Sequence, residues 1–318
     1  MAAKPEDELI AVAMVSWRSR DALRESLPAL EALRESFSLE LALVDNASGD
    51  GSLEEAQRLA PWARLLANPQ NAGFARASNQ AAAVTRAPWL LFLNPDARIA
   101  PGDLRRLLEA LVARPQAAAA GPSLFDRRGR LWPSAYADIN ALNYWTCFSL
   151  IAPLWRGWRA WVAGPLRKLG VGRRTRRADW LMGACLLVRR SAFEQAGGFP
   201  EAYHLYCEDA ELGWRLRQFG WESLYVPEAR AVHTQGHSSA QAKAQTRAAL
   251  FRSLRLYGQR CRGEAWIRSV GRSARLDMRL RLAIVTVLEW IGLCQGALAE
   301  RRAAFREILE IWAARGGP

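Results

Sequence analysis

The stretch LELALVDNASGDGS, Leu39–Ser52, decides the fold. An apolar run of strand length ends in Asp45 and Asn46, a Gly-rich turn follows, and Ser52 opens a helix. The same unit recurs on both sides. Upstream, IAVAMVSW (Ile10–Trp17) leads into a helix through Leu33; downstream come RLLANP (Arg64–Pro69), a helix from Ala75, and WLLFLNPD (Trp89–Asp96). Strands alternating with helices from Ile10 to about Phe125 predict an α/β fold, a mostly parallel sheet covered by helices on both faces. Ligands of such sheets bind beyond the carboxyl ends of the strands. Those ends carry Ser16, Trp17, Asp45, Asn46, Asn68, Asn94 and Asp96.

A chain of 318 residues has room for one large domain with appendages or for two modest domains. Hydrophobic residues make up 50% and charged residues 24%, which excludes a disordered chain and a polytopic membrane protein. The net charge of +13 calls for an anionic partner: nucleic acid, lipid headgroups or a nucleotide diphosphate. Nucleic acid is the weakest of the three, because the excess charge lies outside the motif-bearing block and no RNP, KH or helix-turn-helix pattern occurs. Cys147, Cys185, Cys207, Cys261 and Cys294 are scattered and form no CxxC pair, so neither a disulfide framework nor a zinc site is expected, in keeping with a reducing cytoplasm. In MAAKPEDELIAVAMVSW acids precede the apolar run and a basic flank is missing, the pattern of a first strand rather than a signal peptide.

Beyond Phe125 the rhythm changes. Between Asp138 and Asp179 no acid occurs, but Trp145, Trp155, Trp158, Trp161 and the run GRRTRR do, an insertion (about 139–178) suited to an anionic, partly apolar surface. Packing of these tryptophans in a core or a dimer interface is the plainer reading. Regular structure resumes with one strand, WLMGACLLVRR, a short helix from Ser191, a helix near Glu208 and the strand ESLYVPEARAVH. After Gln241 the chain is basic and helical, and Leu282–Ala299, interrupted by Glu289, reads as an interfacial helix rather than a membrane span. The expected organisation is therefore a domain over 1–240 and an amphipathic tail over 241–318 that meets a membrane surface or a second copy.

Five constellations carry chemistry, each with a structural alternative. Asp45 in VDNASGDGS suits a base or ribose contact, and equally an Asx-type turn. In NPQNAGFARASNQAAA, Gly73 permits close backbone approach and the next helix aims its amides at a phosphate; Asn71 as a cap and Phe74 as core are the alternative. Asp96, ejected from an apolar strand after Asn94 and Pro95, suits a divalent cation bridging to a diphosphate, or a turn. Glu208, Asp209 and Glu211 crowd one helical turn, which raises a carboxylate's proton affinity and suits a general base, although acids also favour a helix's first turn. His233, with His237 and Ser238 just beyond, suits a metal or phosphate contact or a structural role.

Taken in order, VSWRSRDALRESLPAL, LVDNASGDGS, NPQNAGFARASNQAA, LLFLNPD and the block from Asp179 to His233 resemble the family 2 glycosyltransferases, in particular the rhamnosyltransferase-like branch of bacterial cell-surface polysaccharide synthesis. The resemblance covers Ile10 to about Ser239 apart from the Trp-rich segment. It implies a GT-A-type fold and an inverting sugar transfer, with dTDP-rhamnose or a UDP-sugar as donor and a polyprenyl-diphosphate-linked glycan as acceptor, at the inner face of the cell membrane. It carries Ser16, Trp17, Asp45, Asn46, Asn71, Gly73, Asn79 and Asn94 to donor binding. Asp96 and His233 go to a divalent cation, Mg or Mn, and Glu208 and Asp209 to catalysis, with Asp209 as base. Three positions depart from the family pattern: Trp17-Arg18 replace Tyr-Asn, Pro200 precedes Glu201, and the second acid after Glu208-Asp209 is Glu211.

Overall fold

The structure, a computed structural model, describes residues 9–154, 174–234, 243–291 and 295–313. The chain runs β1 (Leu9–Ser16), α1 (Arg20–Ser36), β2 (Ser38–Asp45), α2 (Ser52–Leu59), β3 (Arg64–Ala67), α3 (Phe74–Ala83), β4 (Trp89–Leu93), β5 (Ala97–Ile99), α4 (Pro101–Val112) and β6 (Ala117–Phe125). There follow β7 (Leu131–Trp132), β8 (Ala135–Tyr136), α5 (Ala141–Cys147), β9 (Arg176–Ala178), β10 (Trp180–Leu181), β11 (Cys185–Arg189), α6 (Arg190–Gln195), α7 (Glu208–Gln218) and β12 (Glu222–His233). The last helices are α8 (Lys243–Tyr257), α9 (Glu264–Trp290) and α10 (Gln295–Ala313). Trp155, Trp158, Trp161, His237 and Ser238 lie outside the described residues.

The chain divides into two compact units. Among the described residues the first holds 9–137, 174–204 and 208–234, and it contains the whole sheet. Its strand order is β3-β2-β1-β4-β11-β6-β12-β5. The pairings among β3, β2, β1 and β4 are parallel, as is β6 with β12, whereas β11 runs antiparallel between β4 and β6. The expected mostly parallel α/β sheet is thus present, with one strand reversed in its middle.

Alternation along β1 explains how both faces are covered. Ile10, Val12 and Met14 face one core with Leu23, Leu27, Leu30 and Leu33 of α1. Each of those leucines is at most 1% exposed, and burial of each contributes about 2 kcal/mol. The opposite face is built from small residues, Ala11, Ala13 and Ala42, against Ala75, Ala77 and Ala81 of α3. Small side chains on both partners let α3 approach the sheet closely, which brings its N-terminus to the ends of β1 and β2. Strand β4, WLLFL, is buried at every position, as a central strand covered on both faces must be.

WLMGACLLVRR does not form one strand. It breaks at Met182–Ala184 into β10 and β11, because Gly183 turns the backbone where a helix approaches it. The GRRTRR run ends inside β9, an edge strand antiparallel to β12, where Arg176 stacks on Tyr225 and Arg177 pairs with Glu222.

The second unit holds 138–154, 205–207, 243–291 and 295–313. Of the segment read as an insertion, residues 139–154 pack with the tail helices, whereas 174–178 belong to the first unit. Asp277 of α9 is fully buried, and it accepts from Tyr144 Oη at 3.0 Å, the Leu150 amide at 2.8 Å and Arg281 Nε at 3.0 Å. Asp138 likewise accepts from Tyr257 Oη at 2.9 Å and pairs with Arg262 at 2.7 Å. Donors from both segments thus converge on carboxylates of the helical unit and tie its pieces together.

Candidate active site

Because β1, β2, β3 and β4 are parallel, their carboxyl ends share one edge of the sheet. The start of β11, antiparallel to β4 with Cys185 opposite Leu93, lies on that edge too. Every polar strand end noted in the sequence is therefore in one neighbourhood.

On the β1–β2 side the residues are tightly interlinked. Asp45 is 6% exposed and its two oxygens accept from the Ser48 amide (3.0 Å) and hydroxyl (2.5 Å), an Asx-type turn in which Ala47 takes φ 57°. Ser48 Oγ in turn accepts from the Arg18 amide at 2.9 Å, so the β1 and β2 ends form one body. Arg18 itself has φ 52°, and Trp17 beside it is 36% exposed. Ser16 is fully buried, and its hydroxyl has no hydrogen-bond partner among the described residues.

Asn46 reaches across to α3. Its Nδ2 donates to the Gly73 carbonyl at 3.2 Å, and its Oδ1 accepts from Asn68 Nδ2 at 2.8 Å. Gly73 has φ 82° and ψ 164°, a conformation essentially reserved for glycine, and a Cβ there would stand 3.3 Å from the His204 carbonyl. Asn71 does not cap α3 directly; its Oδ1 accepts from the Gly73 amide at 2.9 Å and shapes the turn ahead of the helix. Asn79, one and a half turns into α3, is occupied with the loop before α7: it donates to the Phe199 carbonyl at 2.9 Å and to Glu201 at 3.0 Å, and accepts from the Phe199 amide at 2.9 Å.

On the β4 side, Asn94-Pro95-Asp96-Ala97 is a turn closed by the Ala97 amide on the Asn94 carbonyl at 2.9 Å. It leads into β5, which pairs with the end of β12 so that His233 faces Ala97. That pairing places His233 Nε2 3.2 Å from Asp96 Oδ1 and 3.4 Å from Asn94 Nδ2, while its Nδ1 is buried without a partner. Among the described residues no three His, Cys, Asp or Glu side chains group as metal ligands.

The carboxylates of α7 complete the edge. Tyr206 and Cys207 both take left-handed backbone, φ 70° and 68°, immediately before Glu208, a conformation costing about 1–3 kcal/mol for each such residue. Asp209 accepts from the Gly183 amide at 3.3 Å and the Ala210 amide at 2.8 Å. The neighbouring Ala184 carbonyl accepts from the Asn94 amide at 3.0 Å, so two residues of the β10–β11 break link Asp209 to the Asn94–Asp96 turn. Burial raises the proton affinity of Asp209 against its two amide donors, and burial plus the charge of Asp209 raises that of Glu208, whose Oε2 has no partner. Glu211, the third acid, is different. It is 2% exposed and fully used, accepting from Tyr203 at 2.6 Å and twice from Arg215, at 2.6 and 3.0 Å. Arg215 also donates to the Ala196 carbonyl at 3.2 Å, so this pair fastens the Gly197-Gly198 turn.

Sequence reasoning placed Arg215 six residues after Asp209 without a role and overlooked Gly183 and His204. Gly183 alone carried a signal, as a glycine inside an apolar run. A depression lined by Arg114, Pro115, Gln116, Arg177 and Glu222 sits at the opposite ends of β6 and β12, away from all of these groups.

An α/β sheet whose strand ends gather Asp45, the Gly73 turn, the Asn94–Asp96 turn and a buried carboxylate pair has its ligand site at that edge, the place where open α/β enzymes bind theirs. Comparison with known proteins gives the family. The profile of the family described as "Glycosyl transferase family 2" matches residues 11–197, and the chain belongs to that family. It is 35% identical over 247 residues to the N-acetylglucosaminyl-diphospho-decaprenol L-rhamnosyltransferase of Mycobacterium tuberculosis, covering 72% of this chain and 80% of that protein. It is 41% identical over 61 residues to the rhamnosyltransferase WbbL of Escherichia coli K12, 19% of this chain and 23% of the other. Among solved structures, the mannosyltransferase PcManGT from Pyrobaculum calidifontis, in complex with GDP-Man and Mn²⁺, superposes with a TM-score of 0.57 at 16% identity, over 98% of this chain and 85% of that one. GalNAc-T7, solved with UDP, GalNAc and Mn²⁺, gives a TM-score of 0.53 at 15% identity, over 72% of this chain and 44% of that one.

Proposed function

We propose that this chain transfers L-rhamnose from a nucleotide donor, dTDP-rhamnose, to a hydroxyl of a polyprenyl-diphosphate-linked glycan, inverting the anomeric centre. The similarity to the mycobacterial L-rhamnosyltransferase over 72% of the chain carries this reading. The chemistry of the site agrees with it. Asp209, with raised proton affinity and held by the Gly183 amide, takes the proton of the acceptor hydroxyl. The acceptor oxygen forms its bond to the anomeric carbon as the bond from that carbon to the diphosphate oxygen breaks. The nucleoside diphosphate leaves from the opposite side, so one displacement inverts the centre. Glu208, whose Oε2 lacks a partner, has its proton affinity raised by burial and by the charge of Asp209, which suits it to donate to the acceptor.

The donor diphosphate belongs at the Gly73 turn, where the amides of α3 face it, with Asp45 toward the base. Asp96 and His233, whose side chains meet at 3.2 Å, would hold a divalent cation there. Such a cation would offset the charge developing on the leaving diphosphate. Since the acceptor is lipid-linked, the enzyme works at a membrane surface, the inner face of the cell membrane. No helix among the described residues is long and apolar enough to cross a membrane.

The test is nucleotide release from a panel of donors with a lipid-linked acceptor. Turnover with dTDP-rhamnose is expected, and turnover with UDP-hexoses alone overturns the donor assignment. Excess EDTA should abolish turnover and added Mn²⁺ or Mg²⁺ restore it; unchanged turnover in EDTA removes the cation role of Asp96 and His233.

A further inference from the structure

Helix α9 has a face that the described residues of its own unit leave exposed. Over 27 residues it buries Val270, Gly271, Ala274, Asp277, Met278 and Val285. On the other side Leu276, Leu280, Ile284 and Val287 are 51%, 46%, 44% and 57% exposed, and Trp290 is 86% exposed. At 100° per residue those four aliphatic side chains fall within about 80° of arc. Arg268, Arg272 and Arg279, all exposed, line one border of that arc, and none has an acidic partner among the described residues. None of the helix's three acids lies on it. Asp277 is buried, Glu289 is paired with Arg302, and Glu264 sits in the first turn.

The apolar surface continues past the opposite border. Phe148 and Leu150 are tied by their backbones to Arg281 and Asp277 of α9, and the segment they belong to exposes Leu150, Ile151 and Leu154. Two pieces of chain far apart in sequence therefore present apolar side chains side by side within one compact unit, with cations along one edge.

We infer that this face of α9 is a docking surface for an anionic lipid bilayer, the helix lying in the plane of the headgroups. Charge complementarity selects the occupant. A bilayer offers acyl chains to Leu276, Leu280, Ile284 and Val287, and phosphates to Arg268, Arg272 and Arg279. Trp290, at the same end as Val287, is the residue type that settles at a membrane interface. A second copy of the chain would bring its own arginines against these three. The inference deepens the proposed function, in resting on a lipid-linked acceptor for its purpose, but the surface and its partner can be tested apart from any transfer.

The full chain is mixed with vesicles of phosphatidylcholine alone or with phosphatidylglycerol and sedimented. The wild type should bind the anionic vesicles and release in high salt. Ile284→Glu with Val287→Glu, both exposed positions, should weaken binding at least about tenfold. Arg268→Glu with Arg272→Glu should weaken it on anionic vesicles and leave the weak binding to neutral ones unchanged. Both variants should keep the wild-type circular dichroism spectrum and its turnover with a short-chain, water-soluble acceptor. Wild-type protein that stays in the supernatant, or an apolar double variant that sediments as the wild type does, overturns the assignment. So does a wild-type dimer in light scattering that the double variant converts to monomer without any vesicle binding. Vesicle binding by a wild type that turns over no acceptor leaves the docking surface standing and removes the transfer reading instead.

Discussion

Replacement of Asp209 by Asn separates the chemistry of the site from its architecture. The carboxylate accepts the Gly183 amide at 3.3 Å and the Ala210 amide at 2.8 Å, and an Asn side-chain oxygen can keep one of these while the volume is unchanged. The fold and the donor site should therefore survive. What is lost is the proton acceptor, which contributes about 10²- to 10⁴-fold, or about 3–5 kcal/mol of barrier. The expected result is a fall of that size in kcat for nucleotide release with a lipid-linked acceptor, with donor affinity, measured by titration without acceptor, within about threefold of wild type.

The pH dependence adds a second readout. Wild-type kcat should fall on the acid side as Asp209 takes up its proton, at a pH above the ordinary carboxylate range because burial raises its proton affinity. That residual activity in Asp209→Asn should lack this limb. Stability moves the other way. A carboxyl whose folded-state pKa is raised stabilises the fold fully below its unfolded value and loses that stabilisation as pH rises through the folded value. The variant, which cannot ionise, should thus gain in Tm relative to wild type as pH rises from the ordinary carboxylate range through about 6. Turnover within about threefold of wild type, with the acid limb intact, would refute the role of Asp209 as the base.

Other substitutions probe the supports of the site. Gly73→Ala should cost about 1–3 kcal/mol in denaturant unfolding and weaken donor binding, since φ 82° with ψ 164° suits glycine and the new Cβ meets the His204 carbonyl at 3.3 Å. Arg215→Ala leaves the buried Glu211 with Tyr203 as its remaining named donor and should destabilise by about 3 kcal/mol or more, read as a drop in urea midpoint at unchanged m-value. Gly213→Ala places a Cβ 2.6 Å from Trp180 Cβ and 2.7 Å from the Asp179 carbonyl. Trp180 is stacked on Tyr136 at 4.1 Å and cannot retreat, so thermal unfolding should reveal a loss of about 1–3 kcal/mol despite the helix preference for Ala.

The fold was legible in the sequence wherever one face of an element repeats. The alternation in LELALVDN, the leucine spacing of the first helix and the wholly apolar WLLFL state their own burial, since strand and helix periods leave no other arrangement of apolar groups. The polar residues at the strand ends were legible for the same reason. Parallel strands put their carboxyl ends together, so Asp45, Asn46, Asn94 and Asp96 had to be neighbours once the sheet was parallel.

Other features depend on groups far apart in the chain. Glu208, Asp209 and Glu211 look alike as a run of acids. Packing makes Glu211 a buried partner of Arg215 and Tyr203, and gives Asp209 the Gly183 amide in a site that favours the proton. The break at Gly183, the hold of Asn79 on Phe199 and Glu201, and the approach of His233 to Asp96 arise from pairings more than twenty residues apart, which local propensity does not encode. The same holds for the segment around Tyr144. Its tryptophans and missing acids suggested an insertion facing an anionic, partly apolar surface, and Asp277, 133 residues away from Tyr144, gathers the part around that tyrosine into the helical unit. Sequence period by itself determined which side of each element is buried. Tertiary structure alone decided which buried charge is paired and which is left to take a proton, because that depends on donors supplied by distant parts of the chain.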